Sequence, residues 1–495
     1  MADLPDDRKL RRFKWVIGMP YFVQGTSNLT TIPILYFIKN VLALGDAGGQ
    51  LFDSLRSAGW LVKPLWGYIS DRVPLFGYRR KSWYVLMAFL ALLFWALSAV
   101  LSAAGVRSPA MYLLVFNLAF GTYAFVDVVC DAIMVEQGRR LQRVGSFVSF
   151  QWTVLALSFT VALYLSGWFQ EQIELGRLEY WVVFLVTGLP PLLTAYIGWR
   201  NIDEDPVTAL PPPPSEPRRA PFRANFRSLR VRFAEFRDSN RTIWLMVLFI
   251  FFWKFRPSVG FIERSYLIDV RGFQPGSFGT ILSLGGVSFF LSILVYRWVV
   301  RRYPTVTWHQ YLYAMVALGV VSYPLSFFLY LDPDHPWWHV FGIFQRWPDS
   351  LNPLPHWNRY EWFRLFTETV LGFAAIPAFI IPLTLAGETV KLKYAAVGYA
   401  FLMSWANATS VFEGVVGAGL FALLSQPWMG GLLEAFHGSW LDISGQDNQR
   451  TLILELFVYI SLIFTLLTIP FIRLLKREFE RQGIIVHLGG EREES

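Results

Sequence analysis

The chain has few charged residues and almost no cysteine. Only 16% of its 495 residues are Asp, Glu, Lys or Arg, whereas 54% are hydrophobic and 17% are aromatic. A soluble domain typically has about 25% charged residues, so this composition excludes an ordinary soluble protein and indicates an integral membrane protein. The single cysteine, Cys130, lies in an apolar run. It excludes an intrachain disulfide, and we expect it to contribute to packing.

Motifs for nucleotide binding, metal binding and covalent catalysis are also missing. The sequence has no phosphate-binding glycine loop, no zinc-ligand spacing and no nucleophile elbow. The six histidines are scattered, and only His335 and His339 come close together, in the loop DPDHPWWH. We therefore expect no enzymatic activity, no cofactor and no metal, and we expect any transport to use an ion gradient rather than ATP.

Long apolar segments recur along the whole chain. Each has about twenty residues or more, enough for a helix to cross a hydrocarbon core of roughly 30 Å. Two groups of six are found, at about 14–41, 48–71, 82–104, 109–136, 143–170 and 179–200, and at about 242–268, 276–300, 308–331, 360–386, 394–425 and 450–475. The predicted fold class is an all-α integral membrane protein with twelve transmembrane helices in two six-helix bundles.

A polar, proline-rich and basic segment separates the two groups of spans. It contains PPPPSEPRRAPFR and cannot cross a bilayer, so it is predicted to be a linker. The predicted division is an N-terminal bundle at 1–200, a cytoplasmic linker at 201–240, a C-terminal bundle at 241–476 and a cytoplasmic tail at 477–495.

The loop charges predict the orientation. Lys and Arg gather at the start of the chain and in every second connection, whereas the alternate connections are poorer in basic residues. Basic loops favour the cytoplasmic side, so both termini are predicted to be cytoplasmic, in a plasma membrane or a bacterial inner membrane. The net charge of +8 is then explained by this bias and by attraction to anionic membrane lipid. We expect no nucleic-acid partner.

Two groups of six spans joined by a long linker indicate a repeat architecture that rocks around a site near the membrane midplane. The loop after the second span, GYISDR followed by GYRRK, resembles the signature loop of the major facilitator superfamily. Within that superfamily, KPLWGYISDRVPLFGYRRKSW, with its additional VPLF, is similar to the folate-biopterin transporter family. FVQG, DVVCDAIMVEQGR, GFQPGSFGTILSL and YAFLMSWANATS extend the resemblance over most of the chain.

The resemblance implies a cytoplasmic gate at this loop. In it, Gly67 is expected to permit close helix packing, Asp71 to pair with a cation on a neighbouring helix, and the basic cluster to bind the membrane face. The predicted gate residues are Gly67, Asp71, Arg72, Gly77, Arg79, Arg80, Arg139 and Glu388.

Charged residues deep within the predicted spans are candidates for proton coupling, because each costs several kcal/mol at the bilayer centre. Asp127 and Asp131 share one face of the fourth span, and Lys63 lies at a comparable depth in the second. A Lys63 and Asp127 pair could exchange a proton, or it could be a static ion pair between the two spans. Asp131 could instead meet Arg139 or Arg143 at the gate.

The seventh span contains the candidate substrate site. Lys254 and Arg256 precede Pro257, and two cations beside a kink suit an anion. Arg256 could bind a carboxylate bidentately while Trp253 or Phe255 offers an aromatic face to a flat ring. The alternative is that both cations extend to the membrane interface.

Four further residues complete the candidate set. Gln24, Arg56 and Gln151 are additional candidate substrate contacts, although the two glutamines could equally make hydrogen bonds between helices. Glu413, deep in the eleventh span, is a fourth proton-coupling candidate or a neutral core acid.

Three functions follow from these patterns. The first is proton-coupled uptake of a folate-like or pteridine-like organic anion. The second is the same fold carrying a muropeptide, another organic anion or a drug, which is favoured by RPSVGFIER in the seventh span, where the family is expected to carry an acidic pair. The third is a non-transporting assembly or delivery factor. The predicted partners are a small-molecule substrate, a proton or other coupling ion, and membrane lipid.

Overall fold

The computed structural model describes residues 7–141, 143–206, 241–303, 305–341, 357–389 and 395–483. Nearly all of these residues are helical. The N-terminal region, residues 7–206, contains α1 (Asp7–Thr26), α2 (Thr31–Tyr36), α3 (Asp46–Leu55), α4 (Lys63–Arg72), α5 (Lys81–Ala103), α6 (Pro109–Arg140), α7 (Val144–Glu174), α8 (Tyr180–Thr187) and α9 (Leu189–Asn201).

The C-terminal region, residues 241–483, is also mainly helical. It contains α10 (Arg241–Lys254), α11 (Gly260–Asp269), α12 (Pro275–Arg302), α13 (Trp308–Leu325), α14 (Arg359–Thr389), α15 (Ala395–Leu424), α16 (Gly430–His437) and α17 (Gln449–Gln482). Helices therefore occupy all twelve predicted spans.

Among the described residues, eight helical stretches are long and apolar enough to cross a membrane, and a bent pair within α14 would make nine. The first, second and seventh predicted spans are not among them. The second is divided between α3 and α4, and the seventh between α10 and α11. The twelve crossings therefore stay a prediction, whereas the multi-helix membrane architecture is observed.

The breaks in the second and seventh spans have identifiable causes. Residues 255–259 are not helical, because Pro257 lacks an N–H and its ring clashes with the preceding turn. In the second span, the 3₁₀ turn Ala58–Val62 contains Gly59, where a Cβ would lie 2.6 Å from the Cα of Gly121. Only glycine fits this close contact with α6.

Hydrophobic packing joins the two regions at one end of the molecule and not at the other. One core cluster combines N-terminal residues such as Phe52 and Phe116 with C-terminal residues such as Phe261 and Phe421. It lies towards the predicted outer side. Towards the loop at 73–80, on the predicted cytoplasmic side, the described residues instead form two clusters, each confined to one region. In the described part of the chain, the regions therefore share one core at the predicted outer side, whereas at the other side their cores are separate and the regions meet at single contacts such as that of Arg297 Nη2 with Ser149 Oγ at 3.0 Å.

A glycine contact between α7 and α12 also joins the two regions. A Cβ on Gly279 would lie 2.7 Å from the Cα of Gly167, so the two backbones approach too closely for any side chain between them. Nearby, the Ser283 hydroxyl donates to the carbonyl of Thr160 at 2.9 Å. The two regions therefore meet backbone to backbone along this pair of helices.

Candidate functional site

Charged residues of both regions meet at the predicted outer side. Lys39 Nζ lies 2.6 Å from Asp269 Oδ1, and Arg450 Nε lies 2.8 Å from Asp46 Oδ2. Arg450 Nη1 also lies 3.1 Å from Asp269 Oδ2. The pairs Lys39–Asp269 and Arg450–Asp46 thus each join the two regions. Arg450 connects these two pairs because it also contacts Asp269.

The two carboxyl groups of this network differ in their acidity. Asp46 precedes the second predicted span and Asp269 follows the seventh. Burial raises the pKa of Asp46, although the charge of Arg450 opposes this effect. Burial also acts on Asp269, but hydrogen bonds from Lys39 and Arg450 outweigh it and lower the pKa of that carboxyl. Asp269 is therefore the more firmly ionised of the two.

Charge reversal at Lys39 is expected to open the predicted outer side. Lys39→Glu replaces the attraction to Asp269 with repulsion, which should cost about 0.4–2 kcal/mol, because the lost attraction and the new repulsion are each worth about 0.2–1 kcal/mol. We expect a cysteine introduced at Ser57, which lines a cavity between the regions, to react about twofold to thirtyfold faster with an impermeant maleimide applied from outside.

The native Cys130 is fully buried and should contribute little to this labelling. Lys39→Arg, which keeps the attraction to Asp269 and leaves the contact of Asp269 with Arg450 intact, is the matched control and should keep the slow rate. Equal labelling of the reversed and native proteins would show that the ion pair does not hold the outer side closed.

The predicted gate loop is held by one arginine and one glycine. Arg80 Nη2 lies 2.7 Å from Asp71 Oδ1 and 3.1 Å from Glu136 Oε1. Gly77 has a φ of +85°, a conformation that favours glycine. The close packing predicted at Gly67 is not observed, because a Cβ there would meet Val128 at 3.5 Å, an ordinary contact distance.

An unpredicted acid completes this loop. The Glu204 carboxylate accepts hydrogen bonds from the main-chain N–H groups of Arg79 at 2.9 Å, Arg80 at 3.0 Å and Lys81 at 2.7 Å. These donors lie at the start of α5, where a helix N-terminus favours negative charge. The acidic run DED after α9 was an available signal. Arg72 makes no ion pair within the described residues, and the side chains of Arg139 and Glu388 lie outside them.

The structure brings together three of the predicted residues in the N-terminal region. Asp127 is 4% exposed, and its Oδ2 lies 2.6 Å from Lys63 Nζ. Its Oδ1 accepts a hydrogen bond from Gln24 Nε2 at 2.6 Å. Lys63 Nζ also lies 4.6 Å from the centroid of the Trp60 ring. Asp127 therefore has one charged and one neutral donor, and both would have to adjust if it took up a proton.

Asp131 and Gln151 have other neighbours. Asp131 Oδ1 accepts a hydrogen bond from the Tyr21 hydroxyl at 3.0 Å, a contact that the sequence analysis missed. Gln151 is fully buried, and its Nε2 lies 3.4 Å from the carbonyl of Ile17 and 3.5 Å from Cys130 Sγ. Within the described residues, no group of three or more histidine, cysteine or acidic side chains is arranged to hold a metal ion.

A cavity of about 490 Å³ lies within the C-terminal region. Lys254, Arg256 and Glu413 all line it. Its aromatic lining is Trp253, Tyr323, Tyr330, Phe379 and Phe457. Of the two alternatives for the aromatic face, Trp253 lines the cavity, whereas Phe255 is buried and its ring stacks on Phe251 with their centroids 4.6 Å apart.

The break at Pro257 shapes this cavity. Glu413 on α15 contacts the freed main chain: its carbonyl accepts the N–H of Ser258 at 2.8 Å, and its carboxylate lies near the main chain of Arg256. Arg256 Nε donates to Thr465 Oγ1 at 3.0 Å. Lys254 makes no ion pair within the described residues, although Glu413 of the same cavity lies near enough for its carboxylate to interact with the Lys254 charge.

A second cavity, of about 360 Å³, lies between the two regions. It contains Arg56, the remaining predicted substrate contact, together with Asp53 and Arg264, which the sequence analysis did not select. Arg264 belongs to the same predicted span as Arg256, so its position within a span was an available signal. Ser258 and Gly260 line both cavities. Gln24 and Gln151 line neither.

Comparison with known proteins identifies the family. The model of the BT1 family matches residues 24–332. The chain belongs to the BT1 family. It is 27% identical over 470 residues to the folate-biopterin transporter of Synechocystis sp., covering 92% of this chain and 80% of that protein. It is 24% identical over 285 residues to folate transporter 1 of Plasmodium falciparum, covering 55% of this chain and 50% of that one.

Solved transporter structures share the fold of this BT1 protein. The POT family transporter PepTSo superposes with a TM-score of 0.63 at 12% identity, covering 96% of this chain and 99% of that one. The nucleoside transporter NupG gives 0.55 at 14% identity, covering 95% and 99%. A D-xylose-proton symporter gives 0.59 at 11% identity, covering 92% and 97%. The predicted major facilitator fold is confirmed, and the chain is a multi-pass membrane transporter.

Proposed function

We propose that this BT1 protein is a secondary active transporter that takes up a folate-like or pteridine-like organic anion together with protons. The observation that carries the proposal is the placement of Lys254 and Arg256 on one cavity with aromatic side chains. The names of its relatives refer to folate and biopterin, which combine flat heterocycles with polar groups. The membrane is a plasma membrane, or the inner membrane of a bacterium, with both termini in the cytoplasm.

The substrate is held by charge and by aromatic stacking. Arg256 is oriented by Thr465 and by the Tyr323 ring, whose centroid lies 5.7 Å from the guanidinium. Such an oriented guanidinium suits a carboxylate. Trp253 and Phe379 offer ring faces in the same cavity. The combination suits an anion with a flat ring better than a purely apolar drug.

Movement of two bundles, residues 1–200 and 241–476, gives alternating access. The shared core at the predicted outer side and the separate cores at the other side support a state that is open to the cytoplasm. Binding of substrate and protons would then shift the population towards the opposite state, according to their different affinities for the two.

Proton coupling is assigned to Asp127 with Lys63, to Asp131 and to Glu413. Asp127 links α6 to α4 through Lys63 and to α1 through Gln24. Protonation would remove the ion pair and loosen all three helices at once. Glu413 is placed differently, because its carboxylate holds the broken seventh span beside the substrate cations.

Uptake of labelled folate into proteoliposomes tests the proposal. With the outside one pH unit more acidic and the potential clamped at zero, we expect accumulation of up to about tenfold for one proton per substrate. Without the gradient, uptake should stop at equilibrium. Protein-free liposomes are the control. Folate uptake no greater than in these liposomes would exclude folate as the substrate, and muropeptides and other organic anions would be tested next by the same assay.

A further inference from the structure

The cavity between the two regions has features of a binding site in its own right. It is lined by Arg56 of the N-terminal region and by Arg264 of the C-terminal region. Its volume of about 360 Å³ is large compared with the roughly 30 Å³ that one water occupies in the liquid. It can therefore accept a carboxylate group together with several waters.

Positive charge is in excess in this cavity. Its charged lining residues are Asp53, Arg56 and Arg264, so two guanidinium groups face one carboxylate. Arg56 Nε lies 2.7 Å from Asp53 Oδ1, whereas Arg264 Nη2 lies 3.8 Å from Asp53 Oδ2, beyond hydrogen-bond distance. Asp53 thus neutralises Arg56 and leaves Arg264 loosely compensated.

The two guanidinium groups are held in place and retain free donors. The Arg56 guanidinium lies 5.4 Å from the centroid of the Phe120 ring, and Arg264 Nε donates to the Gly260 carbonyl at 2.9 Å. Within the described residues, Nη1 and Nη2 of Arg56 and Nη1 of Arg264 make no hydrogen bond. A carboxylate oxygen is the partner that these donors suit best.

Neutral polar groups complete the lining. The hydroxyls of Ser54, Ser57 and Ser410 and the amide of Asn407 border the same space. At the start of α11, Gln50 Oε1 accepts the N–H of Phe261 at 2.8 Å and Ser258 Oγ accepts that of Gly260 at 3.4 Å, so these two N–H groups are already used. An anion would therefore be bound by side chains and not by the helix terminus.

We propose that this cavity binds a second carboxylate of the transported anion, through Arg56 and Arg264, while Arg256 binds the first in the neighbouring cavity. The inference rests on the proposed transport of an organic anion and specifies its class: a flat ring with two carboxylates. Ser258 and Gly260 line both cavities, so the two are neighbours along the broken seventh span, and one elongated molecule would have to extend across this segment to occupy both.

The site is complete only while the outer side is closed, because its two arginines belong to different regions. A ligand that bridges them stabilises this state relative to any state in which the regions separate there. The second carboxylate therefore contributes to the affinity for the transported anion and also stabilises the conformation that is closed at the outer side.

Three matched ligands test the proposal with the purified full-length protein in nanodiscs. Folate has a ring system and two carboxylates, pteroate has the same ring system and one carboxylate, and 6-hydroxymethylpterin has none. We expect Arg264→Gln to raise the Kd of folate about tenfold or more, because a charge-assisted hydrogen bond is lost. The Kd values of pteroate and hydroxymethylpterin should change less than about twofold. Arg177→Gln, in an exposed loop, is the control.

A second variant is expected to lower the Kd of folate instead of raising it. Asp53→Asn removes the internal carboxylate that competes for Arg56, so folate should bind several-fold more tightly. This gain cannot result from misfolding. Equal losses for folate and pteroate in Arg264→Gln, or an unchanged folate Kd in both variants, would overturn the proposal and leave Arg264 with a packing role.

Binding of glutarate, a dicarboxylate without a ring, tests the proposed carboxylate site separately from the proposed transport of folate. If folate fails to bind the native protein, the assignment of folate fails. A melting-temperature increase produced by glutarate, but not by its diamide, and lost in Arg264→Gln would still support a carboxylate site. If neither folate nor glutarate binds, the second site is excluded as well.

Discussion

Replacement of Asp127 by asparagine is expected to abolish concentrative uptake. A pH difference of one unit supplies about 1.4 kcal/mol per proton, which corresponds to a tenfold accumulation. An amide of nearly the same shape cannot carry that proton. We therefore expect the accumulation ratio to fall from about ten to about one, whereas exchange of labelled for unlabelled substrate, which needs no gradient, continues.

Proteoliposomes with a clamped potential provide this measurement, with gradient-driven uptake and counterflow recorded on the same preparation. Asp334→Asn, in an exposed loop on the predicted outer side, is the matched control and should accumulate substrate like the native protein. A variant that lost both activities would indicate misfolding rather than uncoupling.

The alternative of a static ion pair has its own test. Asp127→Asn alone leaves Lys63 without its counter-ion, which is destabilising in a buried setting. The double variant Lys63→Met with Asp127→Asn removes both charges. If the pair were purely structural, the double variant would recover tenfold accumulation. We expect it to be more stable than Asp127→Asn alone and to keep counterflow, but to remain uncoupled.

Removal of the Arg256 guanidinium is expected to have the second largest effect. Arg256→Ala should raise the Kd of the anionic ligands folate and pteroate about tenfold to a hundredfold, because hydrogen bonds to a charged group are worth about 1.5–3 kcal/mol. The neutral 6-hydroxymethylpterin, which lacks a carboxylate, should bind with less than about a twofold change.

Arg256→Lys is the conservative comparison. It keeps the charge but loses the planar, bidentate geometry, so it should have an intermediate Kd. Binding measured by calorimetry in nanodiscs distinguishes these outcomes without requiring transport. A similar loss for charged and neutral ligands would mean that Arg256 serves the packing of α17 through Thr465 and does not bind the substrate.

The helical architecture could be predicted from the sequence because it depends on local patterns. Apolar segments, basic loops and Pro257 each act within a few residues, so the helix positions and the break at 255–259 follow from them. The contact of Lys63 with Asp127 was also within reach, because two opposite charges at equal depth in lipid need each other.

Contacts between distant helices were not predictable in the same way. The break around Gly59 depends on Gly121 of α6, and the meeting of Arg264 with Asp53 depends on how the two regions pack. No periodicity along the chain encodes either contact. The choice between Trp253 and Phe255 was open for the same reason, since only the packing shows that Trp253 lines the cavity while Phe255 stacks on Phe251.

The backbone contact between Gly167 and Gly279 has a mechanical consequence. No side chain separates α7 from α12 at that point, so in the proposed alternating access the two helices would pivot there with their separation almost unchanged. Rotation about this line would break the polar contacts of Lys39 and Arg450 on one side while bringing the opposite ends of the regions together. The contact between Gly167 and Gly279 would then be the pivot of this rotation, and a bulky residue at either position would hinder it.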